Sequence, residues 1–307
     1  MLTTIRMSKK HGNLLGIGIV TRNRLSILQH CIAEIVRHTR VPHILMIADD
    51  GSSDGTVAWA RAQGIPVVTG DRRGCAWNKN RALYFLQQYT DCDLSLLFED
   101  DTWPITTGWD RVWVAAALRW RHVNYCYGLD SKNWPKGLGT ADDPYQCPAF
   151  GGHCTITTRD ALTEVGFLDT RFVGYGWEHV EWTHRFHLRY KADWGLPEGM
   201  LPCLDFGVRA TWPESFFDRK EVDHNGSVYT AIRANITGPY YCAAWQNDGE
   251  RLQLEREVAG ALVHVDQASY FPQQPHRQVG WRRAVATGFK SILLQFRHPG
   301  PSKFGIF

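Results

Sequence analysis

The sequence predicts an α/β fold with a mostly parallel central sheet that carries helices on both faces. In the first third of the chain, apolar strand-like runs alternate with amphipathic helical segments, a pattern typical of β-α crossover units. The chain has 307 residues and is 44% hydrophobic, which is enough to bury a core of this size. Polar residues follow four of the predicted strands, at the sheet edge where such folds bind ligands.

The predicted elements follow one another through short connections. Short apolar runs bounded by turn residues predict buried strands over 14–20, 43–48, 66–70 and 94–98. Apolar periodicity predicts helices over 26–39, 56–63, 77–89, 159–165 and 178–190. Ser26 is expected to cap the first helix, and Ser53 or Asp54 the second. Two further strands are expected around 204–212 and 221–228.

Composition and charge exclude several classes of protein. The net charge of +3 offers no overall field for nucleic acid, and no run approaches the roughly 20 apolar residues of a membrane-spanning helix. The basic N-terminus does not resemble a secretory signal. The eight cysteines include no C-x-x-C pair, which argues against zinc-ribbon and redox motifs. We therefore expect a cytosolic protein with buried, reduced thiols.

Three adjacent carboxylates, Glu99, Asp100 and Asp101, end the fourth predicted strand. Like charges at a buried strand end repel one another, so one of them should take up a proton unless a cation compensates. The sequence therefore predicts that a cation from outside the chain binds at this strand end.

The segment IADDGSSDGT, residues 47–56, ends the second strand with two acids, a tight turn and a helix start. The turn exposes Asp49 and Asp50 at the sheet edge, where a carboxylate accepts a hydrogen bond from a base N–H or a ribose hydroxyl. A local Asx turn and helix cap would explain Asp54 but not both earlier acids. The segment therefore predicts a nucleotide contact, above all by Asp50.

Five motifs in order resemble the family 2 glycosyltransferases with the GT-A fold, a Rossmann-like nucleotide-sugar-binding architecture. ADDGSSDGT after GIVTRN is similar to the family's opening, and GCAWNKNRAL to its glycine-led helix. FEDDTWP stands where the family has its metal-binding D-x-D. GGHCTITTRDALTEVGFLDTRF resembles the segment leading to the acceptor site, and GYGWEHVEWTHR resembles the G-W-G-x-E-D motif of galactosyl- and N-acetylgalactosaminyl-type members. The similarity spans residues 14–230.

The resemblance implies a Mn²⁺ or Mg²⁺ ion that bridges the two phosphates of a nucleotide sugar. Asp101 would hold the ion together with Asp100, and oxygen ligands suit such hard cations. A histidine late in the domain often serves as a third ligand in the family. His224, in VDHNGS, is the candidate, with His264 as the alternative. A lone histidine on an apolar strand is usually a core residue, which describes His264 better.

The resemblance also implies a set of donor contacts. Thr21 would meet the nucleotide base, usually that of uridine diphosphate, and Lys79 and Asn80 would meet the diphosphate at the start of their helix. Trp177 and Tyr175 offer faces for stacking on a donor or acceptor sugar.

Inverting glycosyl transfer needs a base near the acceptor hydroxyl, because the attacking oxygen loses its proton. The family places an Asp as the second acid of its E-D pair, whereas this chain has Glu178 followed by His179. Either Glu178 is the base and His179 orients the acceptor, or the neutral imidazole is the base. The sequence from Glu178 to Glu181 also resembles the E-N-x-E pattern of retaining members, with Glu178 and Glu181 as its two acids. Arg185 is expected to pair with Glu181, four residues earlier on its helix.

The predicted organisation has three parts: a nucleotide-sugar half (1–120), an acceptor-binding and catalytic half (121–235), and a C-terminal extension (236–307). In the extension, residues 281–297 form a basic amphipathic helix that fits either an anionic membrane surface or its own domain. The expected acceptor is a glycan or a lipid-linked saccharide. A nucleic-acid acceptor is disfavoured because the basic residues form no continuous stripe outside the C-terminal helix. The non-enzymatic alternative is an inactive carbohydrate-binding protein on this fold.

Overall fold

The computed structural model describes residues 13–126, 136–148, 151–211 and 218–262. Its strands are β1 (Leu15–Thr21), β2 (His43–Asp49), β3 (Val67–Thr69), β4 (Leu94–Glu99), β5 (Thr102–Pro104), β6 (His122–Tyr125), β7 (Tyr145–Cys147), β8 (Gly151–Thr158), β9 (Leu201–Leu204) and β10 (Val208–Ala210). Its helices are α1 (Leu25–His38), α2 (Thr56–Ala62), α3 (Cys75–Tyr89), α4 (Trp109–Trp120), α5 (Arg159–Val165), α6 (Glu178–Trp194), α7 (Arg219–Asn235) and α8 (Asp248–Leu262).

One large sheet forms the centre of the fold, with the strand order β3-β2-β1-β4-β8-β6-β9-β7. The strands β3, β2, β1 and β4 are parallel to one another, and β6 and β9 are parallel to each other. The strand β8 is antiparallel to both β4 and β6, and β7 is antiparallel to β9. Six of the eight strands therefore run in one direction, which confirms the predicted α/β fold with a mostly parallel sheet. A separate two-stranded sheet pairs β10 with β5.

The central strand β1 is buried at all seven positions because it has strands on both sides and helix α3 packed against it. Gly18 permits this close packing, since a Cβ atom there would lie 2.7 Å from the Cβ atom of Ala82 on α3. A buried parallel strand has a continuous apolar sequence, and the sequence LGIGIV therefore predicted β1 correctly.

The early elements match their predictions to within a few residues, and three expectations are wrong. The N-cap residue of α2 is Gly55 instead of Ser53 or Asp54, although Asp54 accepts a hydrogen bond from the backbone N–H of Thr56 (3.1 Å). Ser26 lies inside the first turn of α1, whose N-cap residue is Arg24 without a side-chain cap. Residues 221–228 lie in helix α7 instead of forming a strand. Asp218 caps this helix by accepting a hydrogen bond from the backbone N–H of Lys220 (2.9 Å), a local capping signal that the sequence carries.

Helix α8 lies within the predicted C-terminal extension and packs on α3 and β3. The basic segment 281–297 lies outside the described residues. Among the helices of the described part, none combines the length and apolar character needed to cross a bilayer. Six of the eight cysteine thiols are buried and the other two partly so, which confirms the expectation that most of them contribute to the core.

Candidate active site

The ends of β1, β2 and β4 meet at one edge of the sheet. Thr21 and Asp49 are aligned across β1 and β2, and the backbone N–H of Asp50 donates to the carbonyl of Thr21 (3.0 Å). The Thr21 hydroxyl donates to Oδ2 of Asp100 (2.6 Å). The polar groups predicted at separate strand ends therefore share one site, with Thr21 between them.

Arg24 supplies part of the positive charge that the acidic strand end requires. Its Nη1 donates to Oδ1 of Asp100 (2.9 Å) and to Oδ2 of Asp101 (3.0 Å). Burial and the neighbouring charges of Glu99 and Asp100 nevertheless raise the pKa of Asp101 to about 6. The chain itself therefore supplies part of the compensation, but Asp101 still lies in an excess of negative charge.

Lys79, on α3, joins two further carboxylates to this site. Its Nζ donates to Oε1 of Glu178 (3.0 Å) and to Oε1 of Glu99 (3.2 Å), and its side chain is only 2% exposed. Burial alone would lower the pKa of Lys79, but the carboxylates of Glu178 and Glu99 outweigh it and raise the pKa. We refer to the four acids of this site as the carboxylate cluster: Glu99, Asp100, Asp101 and Glu178.

The charges and ligand types of the carboxylate cluster fit a divalent cation. Its four carboxylates are paired directly with two cations, Arg24 and Lys79, which leaves an excess of two negative charges among these side chains. Carboxylate oxygens are the ligands that Mn²⁺ and Mg²⁺ prefer. A divalent ion would neutralise the cluster and hold Asp101 in its ionised form.

His153 is a neighbour of the cluster that the sequence did not single out. Cys154 pairs with Phe98 across β8 and β4, so His153 lies beside the end of β4. Burial raises the pKa of Asp101, and His153 is among the groups that oppose the rise. Only the antiparallel pairing of β8 with β4 brings this imidazole to the acids, and no local motif encodes that pairing.

Asp49 and Asp50 both shape the turns around them. Asp50 accepts from the backbone N–H groups of Arg73 (2.8 Å) and Gly74 (3.0 Å). Asp49 Oδ2 accepts from the backbone N–H of Ser52 (3.0 Å) and from a threonine hydroxyl on β3. Asp49 Oδ1 is buried and has no hydrogen-bond partner among the described residues. The local-turn explanation therefore accounts only for the bond between Asp49 and Ser52. The other partners lie 20 or more positions away in the sequence, and one oxygen of Asp49 is left over.

Arg81 is a further residue that the sequence analysis missed, after Arg24 and His153. It is fully buried and donates from Nη1 to Oδ1 of Asp50 (3.1 Å) and from Nε to Oε2 of Glu257 (2.9 Å). Glu257, on α8, also accepts from Nε1 of Trp77 (3.0 Å). Helix α8 thus braces the start of α3 and the turn that carries Asp50. Arg81 stands within the quoted motif GCAWNKNRAL, one position after Asn80.

The start of α3 lies against the loop that precedes α6. Gly74 has a φ of +91°, and a Cβ atom there would lie 2.4 Å from the backbone nitrogen of Gly174. The backbone N–H of Cys75 donates to the carbonyl of Gly174 (2.7 Å). Only glycine satisfies both the left-handed backbone and this contact. The glycine-led motif therefore sets the distance between Lys79 and the N-terminus of α6.

Glu178 and His179 begin α6 after a strained residue. Trp177 adopts a φ of +70°, which is uncommon for a bulky side chain, and its ring stacks on Tyr229 of α7 at 5.2 Å between centroids. Glu178 Oε2 accepts from the backbone N–H of Gly176 (2.9 Å). Burial alone would raise the pKa of Glu178, but Lys79 and His179 outweigh it and lower the pKa well below its usual range.

The Nδ1 atom of His179 lies 3.5 Å from Oε1 of Glu178. The imidazole packs over Gly152 of β8, where a Cβ atom would lie 2.8 Å from its Cγ. Its side chain remains 17% exposed. His179 is therefore held by the carboxylate cluster on one side and still open to solvent. The predicted pair of Arg185 with Glu181 is confirmed, with 2.9 Å between Nε and Oε1.

Two predicted site residues lie apart from these contacts. Asn80 is fully buried and uses its side-chain amide on the backbone of Leu168, donating to its carbonyl (2.8 Å) and accepting from its N–H (2.9 Å). His224 lies on the exposed side of α7, so the strand on which its ligand role was based does not exist. Its helical neighbour Asn225 is the buried residue there, and it donates to the carbonyl of Val173 (2.7 Å).

Comparison with known proteins identifies relatives of this architecture. A model of the glycosyl transferase family 2 matches residues 17–194. A mannosyltransferase from Pyrobaculum calidifontis, solved with GDP-Man and Mn²⁺, superposes with a TM-score of 0.51 at 15% identity, over 90% of this chain and 81% of the other. GalNAc-T7, solved with UDP, GalNAc and Mn²⁺, superposes with a TM-score of 0.53 at 13% identity, over 87% of this chain and 59% of the other. No curated protein matches by sequence.

Proposed function

This chain belongs to glycosyl transferase family 2 and has its GT-A fold, and we propose that it transfers a sugar from a nucleotide diphosphate to an acceptor hydroxyl with the help of a divalent metal ion. The observation that carries the proposal is the carboxylate cluster, whose excess of negative charge lies beside the turn of β2 at one sheet edge. In parallel α/β sheets, this edge binds ligands.

The donor site is assigned to the groups at the ends of β1 and β2. Asp49 Oδ1, the buried oxygen without a partner among the described residues, is the proposed acceptor for a base N–H or ribose hydroxyl. Thr21 and Asp50 border it, and Asp50 holds the turn in place. We propose uridine diphosphate as the carrier and a hexose or N-acetylhexosamine as the sugar, because the motif around Glu178 resembles that of such members.

Asp101, together with Asp100, is proposed to hold the Mn²⁺ or Mg²⁺ ion. When bound, such an ion offsets the charge that develops on the leaving diphosphate. Lys79 acts indirectly in this arrangement: it ties Glu178 to Glu99 and so joins the start of α6 to the acidic strand end. The diphosphate contacts predicted for Lys79 and Asn80 are replaced in our proposal by these positioning roles.

His179 is proposed as the general base of an inverting reaction, with Glu178 as its positioning partner. A useful base has a pKa near the working pH, and Lys79 keeps the pKa of Glu178 well below that range after outweighing the effect of burial. The His179 imidazole borders solvent and lies 3.5 Å from the Glu178 carboxylate. This carboxylate stabilises the imidazolium that forms when the acceptor hydroxyl loses its proton.

We expect the variant His179→Asn to lower the rate of transfer by about 100-fold or more, as for loss of a general base. Its donor affinity should stay unchanged and its melting temperature should fall only slightly, because Lys79 remains as the buried cation that pairs with Glu178. The measurement is kcat and KM of the variant and of the wild type, with donor affinity and melting temperature determined for both.

The matched control is His187→Asn, on the same helix but packed against Trp194, which should leave the rate unchanged. If His179→Asn transferred sugar at a rate within tenfold of wild type, the assignment of His179 as the general base would be contradicted. It would favour the retaining alternative, in which no such base is needed.

The donor proposal is tested by thermal shift with a panel of nucleotide sugars, each with and without MnCl₂. We expect UDP-sugars and Mn²⁺ together to raise the melting temperature more than either alone, since only the native state binds them. Release of UDP should follow when a glycan or lipid-linked saccharide is added. A panel in which no nucleotide sugar shifts the melting temperature would contradict the proposal and favour an inactive protein on this fold.

A further inference from the structure

Three cysteine thiols meet in the sheet outside the carboxylate cluster. Cys126 directly follows β6, Cys147 ends β7, and Cys203 lies in β9. Their Sγ atoms lie within 4.8 Å of one another and all three residues are buried. Among the residues that the structure describes, no other group of three histidine, cysteine or acidic side chains brings its ligand atoms so close together.

The strand order explains how residues so distant in sequence come together. The central strand of the three is β9, which pairs with β6 on one side, where Asn124 is aligned with Cys203. On its other side β9 pairs with β7, where Tyr145 is aligned with Cys203. The backbone N–H of Cys126 donates to the carbonyl of Leu204 (2.8 Å), which fixes the chain just beyond β6.

We propose that these three thiols bind a thiophilic metal ion, for which Zn²⁺ is the test case. A Zn–S bond of about 2.3 Å places the sulfur atoms of one site about 3.8 Å apart, within the 4.8 Å that encloses these three. Three protein ligands leave a fourth position for water. Sulfur ligands select such ions over the Mn²⁺ or Mg²⁺ proposed for the carboxylate cluster, because those ions prefer oxygen.

The proposed ion would have a structural role, linking β7 to its neighbouring strands. The strand β7 is three residues long and lies at the end of the sheet, so backbone pairing alone holds it weakly. A metal ion that joins β7 to β9 and β6 would add its binding free energy to the stability of this edge.

A disulfide between Cys126 and Cys147 is the competing explanation for their 2.7 Å separation. That separation exceeds the roughly 2.05 Å of an S–S bond, and a disulfide would leave Cys203 without a function in the cluster. A metal ion uses all three thiols, and the Cys126–Cys147 contact would open by about 1 Å to admit it.

The test is Co²⁺ titration of the reduced, metal-free full chain under anaerobic conditions. We expect a thiolate-to-cobalt charge-transfer band that saturates at about one equivalent, which Zn²⁺ then abolishes by displacement. A carboxylate site cannot produce this band, so binding at Asp101 does not interfere. Zinc should also raise the melting temperature of the wild-type chain.

The variants Cys126→Ser, Cys147→Ser and Cys203→Ser should each weaken or abolish the band. The matched control is Cys154→Ser, an equally buried cysteine of β8 that should keep it. The absence of the band from the wild-type chain would overturn the proposal without reliance on any variant. A mass loss of two hydrogens that maps to Cys126 and Cys147 in protein that binds no metal would overturn it in favour of the disulfide.

Discussion

The variant Asp101→Asn is expected to slow sugar transfer strongly and, at the same time, to raise the melting temperature of the metal-free protein above pH 6. Burial and the charges of Glu99 and Asp100 raise the pKa of Asp101 from 3.8 to about 6. The folded state therefore favours the protonated form. Stability from this group is complete below about pH 4 and falls as the pH rises through about 6.

The size of the gain follows from the same pKa difference. At about 1.4 kcal/mol for each pKa unit, the ionised carboxylate costs the metal-free protein ~3 kcal/mol at neutral pH. Asparagine keeps the shape and removes the charge, but it weakens the contact with Arg24, so we expect a gain of about 1–3 kcal/mol. Loss of the metal ligand should lower transfer by about 100-fold or more, because metal assistance contributes several kcal/mol.

The measurement is thermal unfolding in EDTA at pH 4 and pH 8, together with the transfer rate. The variant should be more stable than wild type at pH 8 and equally stable at pH 4. Asp142→Asn, at a carboxylate that is 91% exposed, should change neither stability nor rate. Destabilisation of the Asp101 variant at pH 8 would contradict the charge excess on which the metal site is argued.

Lys79→Met is expected to destabilise the protein by about 3–5 kcal/mol, the usual cost of removing one partner of a buried ion pair. The variant leaves the carboxylates of Glu178 and Glu99 without their cation, and Glu178 is 1% exposed. An exposed lysine that contacts only the diphosphate would behave differently, because its loss would lower donor affinity at constant stability.

Chemical denaturation measures the free energy of unfolding that Lys79→Met loses. The double variant Lys79→Met/Glu178→Gln should recover more than about 1 kcal/mol relative to the sum of the single changes, since the two side chains are in direct contact. Lys220→Met, on the exposed side of α7, is the matched control and should stay within about 0.5 kcal/mol of wild type. If the Lys79 variant were as stable as wild type, the buried ion-pair role would be contradicted and a contact of Lys79 with the diphosphate would be favoured.

Local patterns allowed most of the first half of the fold to be predicted. The buried runs that became β1, β2 and β4 are continuous apolar segments, and the polar residues after them mark the binding edge. Residues 221–228 were assigned wrongly because the polar helix α7 buries few side chains, among them Asn225 and Ile232. Such a helix shows little apolar periodicity, so the pattern of the segment did not indicate a helix, although Asp218 supplies a capping residue before it.

The sequence by itself determined the α/β class, the order of the early elements and the acids at the strand ends, because periodicity and turn chemistry act over a few residues. The tertiary structure alone decided which charges meet. Lys79 reaches Glu178 across 99 positions, and Arg81 reaches Glu257 across 176. The three clustered cysteines likewise come from strands whose neighbours are set by sheet order. Burial of a charge requires a partner, and that partner is chosen by packing between distant elements, which no local pattern records.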